Sequence, residues 1–281
     1  MKITRYLDNG QVKPALVDPE GLLHDISSVV PEFNADMLTE QKITEFNQLK
    51  SDDYPLVTGD PELATPYEGV SKYICIGLNY KDHADEANMA IPEEPVIFLK
   101  ANNAINGANL PIKIPQHSQQ LDFEVELGIV IGKKASYVDE QGALSYVAGY
   151  CVTNDVSARD FQLSPHGGGQ WDKGKGCDTF GPIGPWFVSK DEIPDVQNLS
   201  IWLKVNGEIR QQSNTKEMVF SVSKIVSYVS QFMSLYPGDV IATGTPAGVG
   251  IGRKPPIFGQ VGDVVTLGID GLGVQRQVVV G

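Results

Sequence analysis

Along this chain the apolar residues fall mostly into short continuous runs or strict alternation, the patterns of strands. "KYICIGLN" (72–79), "PVIFLK" (95–100), "EVELGIVIG" (124–132) and "VAGYCVTNDV" (147–156) are rich in Val and Ile and predict strands. "LSIWLKVNGEIRQQ" predicts a hairpin turning at Asn206-Gly207, a pair that tolerates the positive φ angles of a two-residue turn. "DVIATG" (239–244), "DVVTLGIDG" (263–271) and "VQRQVVV" (274–280) continue the series. One stretch follows the helical period instead: Val222, Ile225, Val226, Val229, Phe232 and Met233, with Ser221 placed as an N-cap. Strands do not alternate with helices, which argues against a doubly wound sheet. The expectation is a mainly β chain with few helices (α+β), in a closed or sandwiched sheet.

Residues 1–65 read differently. "MKITRY", "KPALVD" and "LLHDI" are short strand-like pieces separated by turns at Asp8-Asn9-Gly10 and Asp18-Pro19-Glu20-Gly21. A polar, helical piece is expected around 36–50, followed by the Pro-rich "YPLVTGDPELATP". This predicts a small N-terminal β-meander over 1–65, with a boundary near Tyr67, and a larger body over 66–281.

Composition then narrows the function classes. The 281 residues are 41% apolar and 20% charged, ordinary for a globular protein, but the net charge is −13. That charge argues against nucleic acid and anionic membrane as partners, and an anionic substrate would need a local positive centre. The N-terminus has no apolar leader-like core and there is no run of 18 apolar residues. Cys75, Cys151 and Cys177 are an odd number without CxxC spacing, and read as reduced thiols of a cytoplasmic protein.

Two glycine-rich stretches resemble nucleotide loops without being any. "GQWDKGKG" (169–176) ends in Gly176 where a phosphate loop needs Ser or Thr, and Pro182 and Pro185 follow where a helix should open. "GVGIG" (248–252) lacks the required spacing.

The chemistry begins with "LDFEVELGIV" (121–130). Strand alternation places Asp122, Glu124 and Glu126 on one face, with Phe123, Val125, Leu127 and Ile129 on the other. Like charges so placed repel unless the face is wet or holds a cation. With Asp155 ending "GYCVTND", the set offers hard oxygen ligands suited to Mg²⁺, Mn²⁺ or Ca²⁺. In "NYKDHADE", His83 and Glu86 are three apart and face each other in a helical turn, as a surface pair or as a tuned base. In "NDVSARDFQ", Arg159 and Gln162 share Asp155's face if a helix starts there, and Lys175 is a loop lysine or a cation for an anionic ligand.

"IGLNYKDHADE", "PVIFLKANNAINGAN", "DFEVELGIVIGKKA", "YVAGYCVTNDVSARDFQ", "GKGCDTFGPIGP", "LKVNGEIRQ" and "GDVIATGTPAGVG" together resemble the fumarylacetoacetate hydrolase family, in family order through 70–281. The resemblance implies a mixed β-sandwich roll, one Mg²⁺ or Mn²⁺ per subunit, a homodimer, and chemistry on small anionic 2-oxo or 2,4-dioxo acids. It implies Glu124, Glu126 and Asp155 as metal ligands and His83 with Glu86 as acid–base dyad. Lys175 and Thr245 are implied at the substrate's oxo-acid end, with Arg159 and Gln162 lining the pocket. Asp122 is no family ligand and is expected behind the ligands or in solvent. An upstream Asp ligand of the mammalian fumarylacetoacetases is replaced here by an apolar residue in "YICIGLNYKDH".

The N-terminal piece and the segments around Lys175 and Thr245 look most like bacterial 2,4-diketo-3-deoxy sugar acid hydrolases, and ureidoglycolate lyase sequences share them. The expected reaction is hydrolysis of a 2,4-dioxo acid to pyruvate and a second acid. Oxaloacetate decarboxylation, tautomerisation or ureidoglycolate cleavage are the rivals on the same site, and a non-catalytic binding protein is the outside reading. Specificity is expected in a lid within residues 80–95.

Overall fold

The computed structural model describes residues 1–86, 89–166 and 168–281. A ten-stranded mixed sheet runs, edge to edge, through Leu23–Asp25, Gln11–Val17, Lys2–Asp8, Gly181–Ser189, Val147–Asn154, Val125–Ile131, Val240–Ala242, Tyr73–Gly77 and Val96–Lys100, with Ile105–Gly107 pairing off this path with Gly181–Ser189. A second, five-stranded sheet is ordered Glu208–Asn214, Ser200–Val205, Val264–Ile269, Gly273–Val280 and Ile112–Lys113. Leu127 and Ile129 of the first sheet share one core with Ile201, Leu203, Val265 and Leu267 of the second. The α+β expectation, strands with few helices, is what the chain adopts.

Local chemistry explains the turns. Asn9-Gly10 and Asn206-Gly207 both have positive φ (50° and 80°, 51° and 82°), so each closes its hairpin with the twist the strands require. Ser221 caps the helix Val222–Val229, its hydroxyl accepting the Lys224 N–H at 3.2 Å. That helix stops earlier than its apolar period suggested. Phe232 is 63% exposed, stacked edge-on against Tyr228, and is not on the buried face.

The N-terminal strands Lys2–Asp8, Gln11–Val17 and Leu23–Asp25 pair in chain order and extend the main sheet. Lys2 and Ile3 pair with Val188 and Phe187. Ile3, Leu16 and Phe33 pack in one cluster with Val130, Cys151 and Phe187. The helical piece expected over 36–50 is shorter, a 3-10 turn Ala35–Leu38 and a helix Glu40–Phe46 capped by Thr39. The strand Gly181–Ser189 was not foreseen, because Pro182 and Pro185 lack ladder donors and Gly184 sits at φ 123°. All three cysteine thiols are free. Among the described residues no helix is long and apolar enough to cross a membrane.

Candidate active site

The acidic cluster grows out of the strand Val125–Ile131. Regular pairing lapses at Phe123 and Glu124, between the short strand Leu121–Asp122 and this one, yet the alternation persists. Phe123, Val125, Leu127 and Ile129 enter the core, while Asp122, Glu124 and Glu126 turn the other way. Asp155 follows the neighbouring strand Val147–Asn154, and its N–H bonds to the Glu124 carbonyl at 2.9 Å. Glu124, Glu126 and Asp155 are all buried, each placing a carboxylate oxygen within 4.8 Å of the others. This face is therefore not the solvated outer face of an edge strand.

Cations answer the charge. Lys175 Nζ lies 2.7 Å from Glu124 Oε2 and 2.8 Å from Asp155 Oδ2. Arg159 spans Glu124 Oε1 at 2.5 Å and Asp122 Oδ2 at 2.8 Å. Lys100, fully buried, lies 2.5 Å from Asp155 Oδ1 and donates to the carbonyls of Val156 and Lys175. Burial alone would raise the Glu124 carboxyl, but the charges of Lys175, Arg159 and His83 outweigh it and hold it below the usual carboxylate range. Glu126 goes the other way: burial first, then the like charges of Asp155 and Glu124, push it well up. The Gly244 N–H, at 2.9 Å from Oε2, is the hydrogen bond it receives.

His83 and Glu86 sit on the short helix Lys81–Glu86. The chain reaches it through Leu78, whose φ of 55° is unfavourable for a side chain bearing a Cβ, and is held there by Asn79. Buried Asn79 donates to the carbonyls of Thr243 (2.7 Å) and Phe220 (3.1 Å) and accepts the Phe220 N–H (2.7 Å). His83 Nδ1 is 3.5 Å from Glu86 Oε2, close enough to feel the charge but longer than a good hydrogen bond.

A cavity of about 340 Å³ opens over these groups. All nine residues singled out from the sequence line it: His83, Glu86, Glu124, Glu126, Asp155, Arg159, Gln162, Lys175 and Thr245. One expectation needs correction. Asp155 and Arg159 do not share a helix face, because Ser157–Ala158 form a strand against Leu121–Asp122 and the helix begins only at Arg159. Arg159 instead meets Gln162 one turn on, at 2.9 Å. Of the two places expected for Asp122, it takes the one behind the acidic cluster: it is 2% exposed and paired with Arg159, which also touches Glu124. Within the expected lid, 80–95, Met89 lines the cavity, while residues 87 and 88 lie outside those described.

Sequence reasoning missed Lys100, Asn79 and Gln211. Lys100 ends an apolar strand and nothing local marks its charge as buried. Gln211 binds across the site's floor: its amide accepts the Val125 N–H (3.0 Å) and donates to Thr245 Oγ1 (2.8 Å) and the Pro246 carbonyl (2.7 Å). Thr245 in turn donates its hydroxyl to the Val125 carbonyl, leaving it only acceptor capacity toward a ligand.

Comparison with known proteins agrees with this geometry. The family model for the fumarylacetoacetate (FAA) hydrolase C-terminal region matches residues 72–280. A Burkholderia ambifaria protein carrying only a provisional hydrolase name is 52% identical over 278 residues, 99% of this chain and 98% of its own. Among solved structures, a fumarylacetoacetate hydrolase from Exiguobacterium antarcticum superposes with a TM-score of 0.88 at 36% identity, covering 100% of this chain and 99% of that one. A 5-carboxymethyl-2-hydroxymuconate delta-isomerase from Mycobacterium smegmatis gives 0.76 at 34%, covering 100% and 98%. The chain belongs to the fumarylacetoacetate hydrolase family.

Proposed function

We propose that this protein is a metal-dependent hydrolase that cleaves the C3–C4 bond of a 2,4-dioxo acid, of the 2,4-diketo-3-deoxy sugar acid type, to pyruvate and a second carboxylic acid. The observation that carries the reading is one cavity with three buried carboxylates in mutual reach and a His–Glu pair on its wall.

The donor set fits a hard divalent cation. Three carboxylates supply oxygen ligands only, the choice of Mg²⁺ or Mn²⁺. Burial raises the Glu126 carboxyl first, and the like charges of Asp155 and Glu124 raise it further; a bound dication would relieve that repulsion. Counting Asp122, Glu124, Glu126 and Asp155 against Lys100, Lys175 and Arg159 leaves one formal negative charge in excess. A dication inverts that excess, and one substrate carboxylate then balances it. Glu124, Glu126 and Asp155 would hold the ion, which supplies Lewis-acid polarisation of the oxo-acid end when bound.

The protein's own groups do the rest. Lys175 presents an ammonium to the oxo-acid oxygens. His83, with Glu86 beside it, takes a proton from water as that water attacks C4. The C3–C4 bond breaks, C3 gains a proton, and the oxygen from water stays in the second acid. Arg253 and Lys254 also line the cavity, and neither has a carboxylate partner within ion-pair distance among the described residues, so they offer donors to the hydroxyls of a sugar-acid tail.

A second reading has specific support. The delta-isomerase named above and a 2-hydroxyhepta-2,4-diene-1,7-dioate isomerase from Mycobacterium marinum, 34% identical, point to proton shuffling without bond cleavage. Incubation of a substrate panel with Mg²⁺ in ¹⁸O-water separates the readings. Hydrolysis gives pyruvate and a labelled second acid in equal amounts; isomerisation gives neither. Carbon dioxide from oxaloacetate, or urea and glyoxylate from ureidoglycolate, at higher kcat/KM would replace the hydrolase reading. The homodimer expected from the resemblance belongs to this reading, and a monomer by light scattering at micromolar concentration would remove it.

A further inference from the structure

The glycine run Gly248–Gly252, which is no nucleotide loop, holds carboxylates with its backbone N–H groups. Gly248 N–H lies 3.0 and 3.1 Å from the two oxygens of Glu86. Gly250 and Ile251 N–H donate to Asp122 at 2.7 and 3.1 Å. Close approach explains the glycines. Gly248 sits at φ 110°, and a Cβ there would come 1.9 Å from the Arg210 carbonyl oxygen. A Cβ on Gly252 would come 2.3 Å from the Glu86 carboxyl carbon.

Asp122 is saturated. Oδ1 takes the N–H groups of Gly250 and Phe123 (2.9 Å); Oδ2 takes Ile251 N–H and Arg159 Nε (2.8 Å). One buried carboxylate thus ties the glycine loop to the guanidinium that touches Glu124. The same loop carries the dock for Glu86, whose contacts to Gly248 are shorter than its 3.5 Å approach to His83.

We propose that Asp122 is a positioning residue: it locks the Gly248–Gly252 loop onto Arg159, so that the loop's dock for Glu86 sets His83 over the acidic cluster. A carboxylate is needed because four donors require two acceptor oxygens. An Asn at this position would replace one of them with an NH₂ group aimed at other donors. The consequence for turnover rests on the hydrolase reading, but the docking itself does not.

Hydrogen-exchange mass spectrometry on the full-length protein tests the docking without any reaction. In Asp122→Asn, peptides over 246–254 and over 79–86 should both exchange about tenfold faster or more, with the strands at 125–131 and 147–154 unchanged. Glu86→Gln should loosen 79–86 alone, and the double variant should loosen it less than additively. Additive effects, or release of 246–254 without 79–86, overturn the proposal. Should Asp122→Asn not fold, Asp122→Ser leaves room for water among the four donors, and the same outcomes apply. If exchange is coupled but no dioxo acid is turned over, the hydrolase reading fails and the positioning role stands. Turnover without coupling is the reverse.

Discussion

The two walls of the cavity are built in opposite ways. Glu124, Glu126 and Asp155 are buried on or beside paired strands, and Glu124 and Asp155 are gripped by Lys175, Arg159 and Lys100. His83 and Glu86 ride a six-residue helix, with side chains 13% and 16% exposed, docked through one loop amide. The first wall is fixed by the sheet that forms the core; the second stands on a short helix outside that sheet. Charge that must be preorganised belongs on the rigid wall.

The largest expected break of this contrast comes on the rigid wall. Glu126→Ala removes one of the three proposed ligands and should abolish Mg²⁺ and Mn²⁺ binding by calorimetry, beyond the roughly 10–100-fold that outer contacts cost. Undiminished affinity would take Glu126 out of the metal site. On the docked wall, His83→Ala should leave metal affinity intact while lowering kcat by about 10²–10⁴-fold. A variant that loses metal and rate together would show that the two walls are not separable.

The rigid wall was also the more legible one. Alternation in "LDFEVELGIV" puts Asp122, Glu124 and Glu126 on one side, since a strand's period is independent of what lies opposite. The cations could not be read so easily. Lys100 and Asp155 meet although Val96–Lys100 and Val147–Asn154 are separated by three strands in the sheet order, so nothing in the local pattern pairs them. Arg159 was placed in the pocket, but by a helix that begins four residues later than supposed, since Ser157–Ala158 pair with Leu121–Asp122. The strand Gly181–Ser189 was hidden by its prolines, and Phe232 followed the helical period past the point where the helix ends. Local pattern reports elements; the partners of a buried charge are settled by topology.

Metal addition sharpens the contrast at a smaller scale. An ion that binds only the folded protein stabilises it by about 2.7 kcal/mol at a hundred times its Kd, which should raise Tm by several degrees. Exchange protection should increase over 124–131 and 150–155 and stay unchanged over 79–86. Equal protection of both segments would mean that the ion also holds the docked helix.

The smallest expected effect tests what Glu86 contributes beyond its place on the loop. Gln at this position keeps an oxygen for the Gly248 N–H, so the helix retains part of its dock, but the negative charge beside His83 is gone. Without that charge the imidazolium formed during proton transfer loses its stabilising partner, which lies 3.5 Å away and is not a tight hydrogen bond. Glu86→Gln should therefore lower kcat by about tenfold, well short of the His83→Ala loss, with metal affinity unaltered. A loss as large as that of His83→Ala, measured on the same dioxo acid, would make Glu86 a direct participant in proton transfer. An unchanged kcat would mean that Glu86 serves the dock alone and that His83 works without a charged partner.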